Sequence, residues 1–175
     1  MYLFNSKQYP YMKKTYLLLV CVLLAVSGAM AQLKPTVKCT DFVVDILDGK
    51  VNGLKANAQI YDIKSKFPCF SSTAEEGSGA KCGAGVFYKD RDVKFYTDRD
   101  YIEIGPKFKG TMTVPLLGAK RGSLFGKLGN PQMKDDKWDA YQMSYGTLVL
   151  HYDAAGKVNL IQFSTYGTDM LNLCE

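Results

Sequence analysis

Apolar and polar positions alternate in short bursts along most of this chain, broken by Asp- and Gly-containing turns. Residues 42–47 (Phe-Val-Val-Asp-Ile-Leu) read as a strand, Asp48-Gly49 as a turn, and 51–54 as a second short strand. The period then changes. Ile60, Ile63 and Phe67 share one helical face, so the spacing predicts a helix over 58–66, with Asn57 as N-cap and Pro68 as stop. Residues 69–85, rich in Ser, Gly and Ala, read as a loop. Three strands follow, at 86–88, 93–96 and 101–104. Asp90-Arg91-Asp92 and Asp98-Arg99-Asp100 supply the turns between them, and the whole reads as an antiparallel meander.

The same order returns in the second half. Residues 108–116 are partly strand, and a short helix spans about 119–128, ended by Gly129-Asn130-Pro131. Strands follow at 138–145, 147–152 and 157–163. Phe67-Pro68 corresponds to Asn130-Pro131, and Tyr96-Thr97-Asp98 resembles His151-Tyr152-Asp153. The predicted fold is therefore α+β. Two β-helix-βββ repeats, about 40–105 and 106–165, form one antiparallel sheet with both helices on one face. Alternation places Ile102, Ile104, Leu148, Leu150, Ile161 and Phe163 on the covered face. Lys94, Tyr96, Tyr101, Glu103, His151 and Gln162 fall on a face expected to be open to water.

The first residues change how the totals are read. Met12-Lys13-Lys14, an apolar run from Tyr16 to Val26, and Ser27-Gly28-Ala29-Met30-Ala31 have the pattern of a secretory signal cleaved after Ala31. Residues 1–11 read as an upstream extension, and the apolar run is shorter than the roughly 20 residues of a membrane span. The expectation is an exported domain of residues 32–175, periplasmic or extracellular, with no stable membrane anchor. The chain's 175 residues carry 22 Lys and Arg against 17 Asp and Glu. Without Lys7, Lys13 and Lys14 the excess falls to about +2, too little for a polyanion-binding field, and nucleic acid is set aside as a partner.

Cys21 leaves with the signal, so Cys39, Cys69, Cys82 and Cys174 remain, an even number in an exported chain. Two disulfides have three possible pairings. Cys69–Cys82, closing one loop, with Cys39–Cys174, tying the ends, is the pairing expected. A zinc site would need closer Cys or His pairs than this chain has, so no metal is expected.

Catalytic chemistry finds little support. His151 is the only imidazole, no Gly-x-Ser-x-Gly elbow occurs, and no cofactor motif is present. Glu75-Glu76 lie in the Ser/Gly loop, and Asp90, Asp92, Asp98 and Asp100 lie in turns where Asp bonds its own backbone. The calcium reading of these pairs is therefore set aside. Lys120, Arg121 and Lys127 read as a solvated face. Tyr96, Tyr101, Trp138 and His151 remain as candidate binding residues, because rigid aromatics on a sheet face make good anchors.

The stretch Arg121-Gly122-Ser123-Leu124-Phe125-Gly126-Lys127-Leu128-Gly129-Asn130-Pro131, then Trp138, then the hairpin Leu148–Tyr152, Asp153-Ala154-Ala155-Gly156-Lys157-Val158, resembles the β-lactamase inhibitory protein architecture. It is also similar to the related small outer-membrane assembly lipoproteins, although Gln32 stands where their anchoring Cys would be. The resemblance implies protein binding through an open sheet face and no catalysis. The expectation is a non-catalytic, inhibitor-like binding protein with a protein partner. The alternative is a carbohydrate-binding protein or a small hydrolase of the cell envelope.

Overall fold

The computed structural model of the protein describes residues 39–75, 79 and 81–174. The signal-like segment with its cleavage point at Ala31, and Glu76 of the Ser/Gly loop, lie outside the described residues. The described residues are rich in mostly antiparallel sheet and include two short α-helices. Its strands are β1 (Val43–Asp45), β2 (Lys50–Val51), β3 (Leu54–Lys55), β4 (Ser72–Ala74), β5 (Gly85–Tyr88), β6 (Val93–Tyr96), β7 (Tyr101–Ile104), β8 (Thr111–Met112), β9 (Met133–Lys134), β10 (Trp138–Met143), β11 (Gly146–Tyr152) and β12 (Val158–Ser164). The helices are α1 (Ile60–Lys66) and α2 (Phe125–Leu128), the latter preceded by a 3-10 turn at Arg121–Ser123.

Eight strands form one antiparallel sheet in the order β4-β5-β6-β7-β12-β11-β10-β9. The meander and the three-strand run after Pro131 both form, and they join where β7 pairs with β12, Ile104 opposite Ile161 and Ile102 opposite Phe163. Register then extends single rows of side chains across the sheet. One inward row runs Leu150, Ile161, Ile104, Val93, Tyr88. The next runs Tyr141, Leu148, Phe163, Ile102, Phe95, Val86. All of these are buried in one core cluster. Each fully buried side chain of this size contributes about 1.5–3 kcal/mol.

One sheet was expected, but there are two. β3-β2-β1-β8 make a second, four-stranded sheet in which β1 and β8 run parallel, Val43 opposite Thr111 and Val44 opposite Met112. The reason is area. Helices of seven and four residues cannot cover an eight-stranded face. The small sheet adds Phe42, Val44, Ile46 and Val51 to the same core. Its β2–β3 hairpin turns on Asn52-Gly53, with φ of 47° and 84°, the left-handed pair of a tight two-residue hairpin. Asn52 also accepts the Val43 N–H and donates to the Asp41 carbonyl, clamping the hairpin to β1.

Both helices are shorter than the spacing predicts. α1 starts at Ile60, with Gln59 rather than Asn57 at its N-cap, because the Ala58 N–H is drawn back to the Lys55 carbonyl in a turn. Its face is as expected: Ile63 and Phe67 are buried, Phe67 stacks on Phe42 at 4.3 Å, and Tyr88 Oη donates to the Phe67 carbonyl at the helix end. The second helix breaks into a 3-10 turn and one α-turn around buried Leu124.

Arg121 is no solvated residue. Its guanidinium grips the Asp139 carboxylate through two nitrogens, donates to the carbonyls of Asp135 and Asp136, and lies 4.7 Å from the Tyr152 ring centre. Asp139, 2% exposed, also accepts the Tyr152 hydroxyl. The arginine thus fastens the 3-10 turn to β10.

The disulfides join Cys39 to Cys69 and Cys82 to Cys174, with Cα separations of 5.3 and 5.4 Å. This overturns the expected pairing of Cys69 with Cys82 and Cys39 with Cys174. Cys69 lies just after α1, where Cys39 and Cys69 both pack on the core. Cys82 lies before β5, beside Arg99, whose guanidinium holds the Lys81 and Leu173 carbonyls together.

Two predictions follow from this packing. Arg121→Ala leaves the buried Asp139 carboxylate without its cation, so urea denaturation should show a loss of about 3–5 kcal/mol. Lys127→Ala, on the same short segment, should change stability by less than about 0.5 kcal/mol; equal effects would contradict the anchoring role. Burial raises the pKa of the Tyr88, Tyr101, Tyr145 and Tyr152 phenols. Unfolded phenols ionise near about pH 10, so the stabilisation from keeping these four neutral is intact below that pH and is lost as pH rises above it. Spectrophotometric titration should show them ionising together with unfolding, and smooth ionisation of every tyrosine with the fold intact would contradict this.

Candidate functional site

The outer face of the large sheet carries three rows. The first is Trp138, His151, Leu160; the second Ala140, Val149, Gln162, Glu103, Lys94, Phe87; the third Gln142, Thr147, Ser164, Tyr101, Tyr96, Gly85. Lys94, Tyr96, Tyr101, Glu103, His151 and Gln162 all lie on this face, as the alternation predicts. The face is not open, however. Thr147 and Tyr101 are 0% exposed, Ser164 and Val149 are 1%.

What covers it is the segment after β12. Thr147 Oγ1 donates to the Tyr166 carbonyl, and the Thr168 N–H donates to Gln142 Oε1. Farther on, Arg99 donates to Asn172 Oδ1 and the Leu173 carbonyl, and the Cys174 N–H donates to Tyr101 Oη at 3.2 Å. The Cys82–Cys174 bond fixes the end. Residues 166–174 therefore cross the third row from β10 to β7. Gly146, where β11 starts with φ 139°, lets the strand pass there, since a Cβ would collide with the Ser164 carbonyl.

This separates the four candidate residues into two pairs. Tyr96 and Tyr101 are stacked with ring centres 4.5 Å apart, under the C-terminal segment. They are packing residues, which corrects their expected role as exposed anchors. Trp138 and His151 sit directly opposite one another on β10 and β11, both partly exposed. They line two adjoining cavities. One, of about 320 Å³, is bounded by Met133, Val149, Thr168, Leu171, Asn172 and Leu173. The other, of about 400 Å³, is bounded by Glu103, Asp135, Lys137, Leu160, Gln162 and Cys174.

A polar ladder supports the pair from beneath. Lys94 Nζ donates to Glu103 Oε1 at 2.6 Å, Gln162 Nε2 to Glu103 Oε2 at 3.1 Å, and His151 Nε2 lies 2.8 Å from Gln162 Oε1. Burial alone would lower the Lys94 pKa, but the hydrogen bond and charge of Glu103 outweigh it and raise it. The Glu103 carboxylate is the acceptor in both of its bonds. Gln162 must then turn its NH₂ to Glu103 and its carbonyl to His151. The carbonyl can only accept, so the neutral imidazole carries its proton on Nε2 and Nδ1 is left as an acceptor.

The ladder is a set of groups that satisfy one another. The bond to Gln162 fixes the orientation of the His151 ring. The turn carboxylates are likewise occupied: Asp92 and Asp98 accept the N–H groups of Lys107 and Ala84, and Asp92 and Asp100 take left-handed φ values of 57° and 48°. Among the described residues no group of three or more His, Cys, Asp or Glu is placed to hold a metal ion.

The sequence pointed to Trp138 and His151 but missed Met133, Leu171 and Leu173, which border the cavities. Met133 belongs to a two-residue strand and the leucines to a segment without regular structure. Neither gives a periodic signal; only Cys174 hinted that the segment is tied down. No family model matches the chain, and no curated protein or solved structure shows significant similarity to it.

Proposed function

We propose that the protein is an exported, non-catalytic binding protein, inhibitor-like in mode, that engages a protein partner through the Trp138–His151 corner of the outer sheet face. The observation that carries this reading is the partly exposed row Trp138, His151, Leu160, on a face whose row of Thr147, Ser164 and Tyr101 is closed by the C-terminal segment. The corner also has an apolar margin at Met133, which is 44% exposed. A partner with a surface of its own would bury that margin, whereas a small sugar would fill only the cavities.

The ladder commits Lys94, Glu103 and the Gln162 amide to one another and holds the His151 ring in place, which supports a binding surface of fixed shape. Export is supported by the signal-like segment and the two disulfides. The tandem-repeat reading has support in the strand order. Four consecutive strands, β4 to β7, meet four others, β9 to β12, in mirrored order, and a short helix precedes each set.

The test is capture from the native extracellular fraction by wild type, Trp138→Ala and Tyr61→Ala, the last at a 79%-exposed position on α1. One protein should be retained by wild type and Tyr61→Ala and bound at least about tenfold more weakly by Trp138→Ala. If no captured protein depends on Trp138, the reading fails. Glycan binding that depends on Trp138, with no protein captured, would replace it by the saccharide alternative.

A further inference from the structure

The hydrogen-bonding capacity left at the corner says what kind of group it takes. The ladder leaves His151 Nδ1 as an acceptor, and Nδ1 has no partner among the described residues. The indole N–H of Trp138 is donor-only and has no acceptor among the described residues. Trp138 and His151 are directly opposite in the β10–β11 register, where side chains start about 4.5–5.5 Å apart. The corner thus holds a donor and an acceptor on directly paired residues, beside apolar walls from Met133, Val149, Leu171 and Leu173.

We infer that the Trp138–His151 corner recognises the backbone of an extended, aliphatic peptide segment, with the indole N–H donating to a peptide carbonyl and His151 Nδ1 accepting a peptide N–H. An extended residue presents its own N–H and C=O to the same side, which is how strands pair. Its aliphatic side chain enters the cavity of about 320 Å³. The assignment rests on the protein-partner reading and specifies its recognition chemistry: a backbone amide next to an apolar side chain. Lys94, three ladder positions away, acts through Glu103 and Gln162 as a positioning residue, because it fixes which imidazole nitrogen faces the ligand.

The chain has one Trp and one His, so a ¹⁵N-labelled sample of the full chain with both disulfides gives one indole N–H signal and one imidazole pair. The probe is N-acetyl-leucine N-methylamide. It should shift the indole and Nδ1 signals saturably. N-acetyl-N-methyl-leucine N-methylamide, which lacks the leucine N–H, should bind about tenfold more weakly. Trp138→Phe, which keeps a ring and loses the donor, should weaken amide binding by a similar factor. Absence of a saturable shift up to the solubility of the probe, equal binding of the N-methylated and parent probes, an unchanged Trp138→Phe, or a stronger response to N-acetylglucosamine would each overturn the inference. Capture that fails with Trp138→Ala yet persists with Trp138→Phe would overturn the inference alone and leave the protein-partner reading standing.

Discussion

The second face of the large sheet is closed by a bond between residues 92 positions apart, Cys82 and Cys174. An eight-stranded sheet has two faces to cover, and the core side uses up both helices and the small sheet. Thr147, Val149, Tyr96 and Tyr101 on the other side would otherwise meet water. The chain covers them with an irregular segment whose own hydrogen bonds are few, so its end must be held. A disulfide closing a loop of this length stabilises by roughly 4–5 kcal/mol in the chain-entropy account, several times the roughly 1 kcal/mol of a single hydrogen bond such as that from Cys174 N–H to Tyr101 Oη.

Where the segment stops decides where the site begins. It crosses the row of Thr147, Ser164 and Tyr101, borders the next, and leaves Trp138 and His151 partly exposed. Two charge pairs flank the sheet and do different work. Arg121 and Asp139 lock a turn to β10 on the core side, with Asp139 fully enclosed. Lys94 and Glu103 lie on the outer side with the lysine 42% exposed, where an ion pair alone adds little stability. Its consequence is orientation: it sets the Gln162 amide and, through it, the His151 tautomer.

Much of this was legible from alternation. The inward set Ile102, Ile104, Leu148, Leu150, Ile161 and Phe163 and the outward set around Glu103 and Gln162 follow from a period of two, which is a strong signal in long strands. The small sheet was not legible, because strands of two or three residues carry too few positions to show a period. The disulfide pairing was not legible either: two bonds among four cysteines are decided by which elements meet, and sequence spacing does not show that the α1 end packs beside residue 39. Tyr96 and Tyr101 looked like surface anchors because nothing in Gly167-Thr168-Asp169-Met170-Leu171-Asn172-Leu173 announces a segment that lies on a sheet.

The Cys82-anchored segment builds one wall of the site at Trp138. The most direct measurement is the single indole N–H signal in the oxidised protein and in a Cys82→Ser/Cys174→Ser double variant. The indole signal should move and exchange faster with water as the signals of residues 168–174 become those of a released segment. If those residues are released while the indole signal stays in place, the segment is only a cover for the sheet and the site does not depend on it.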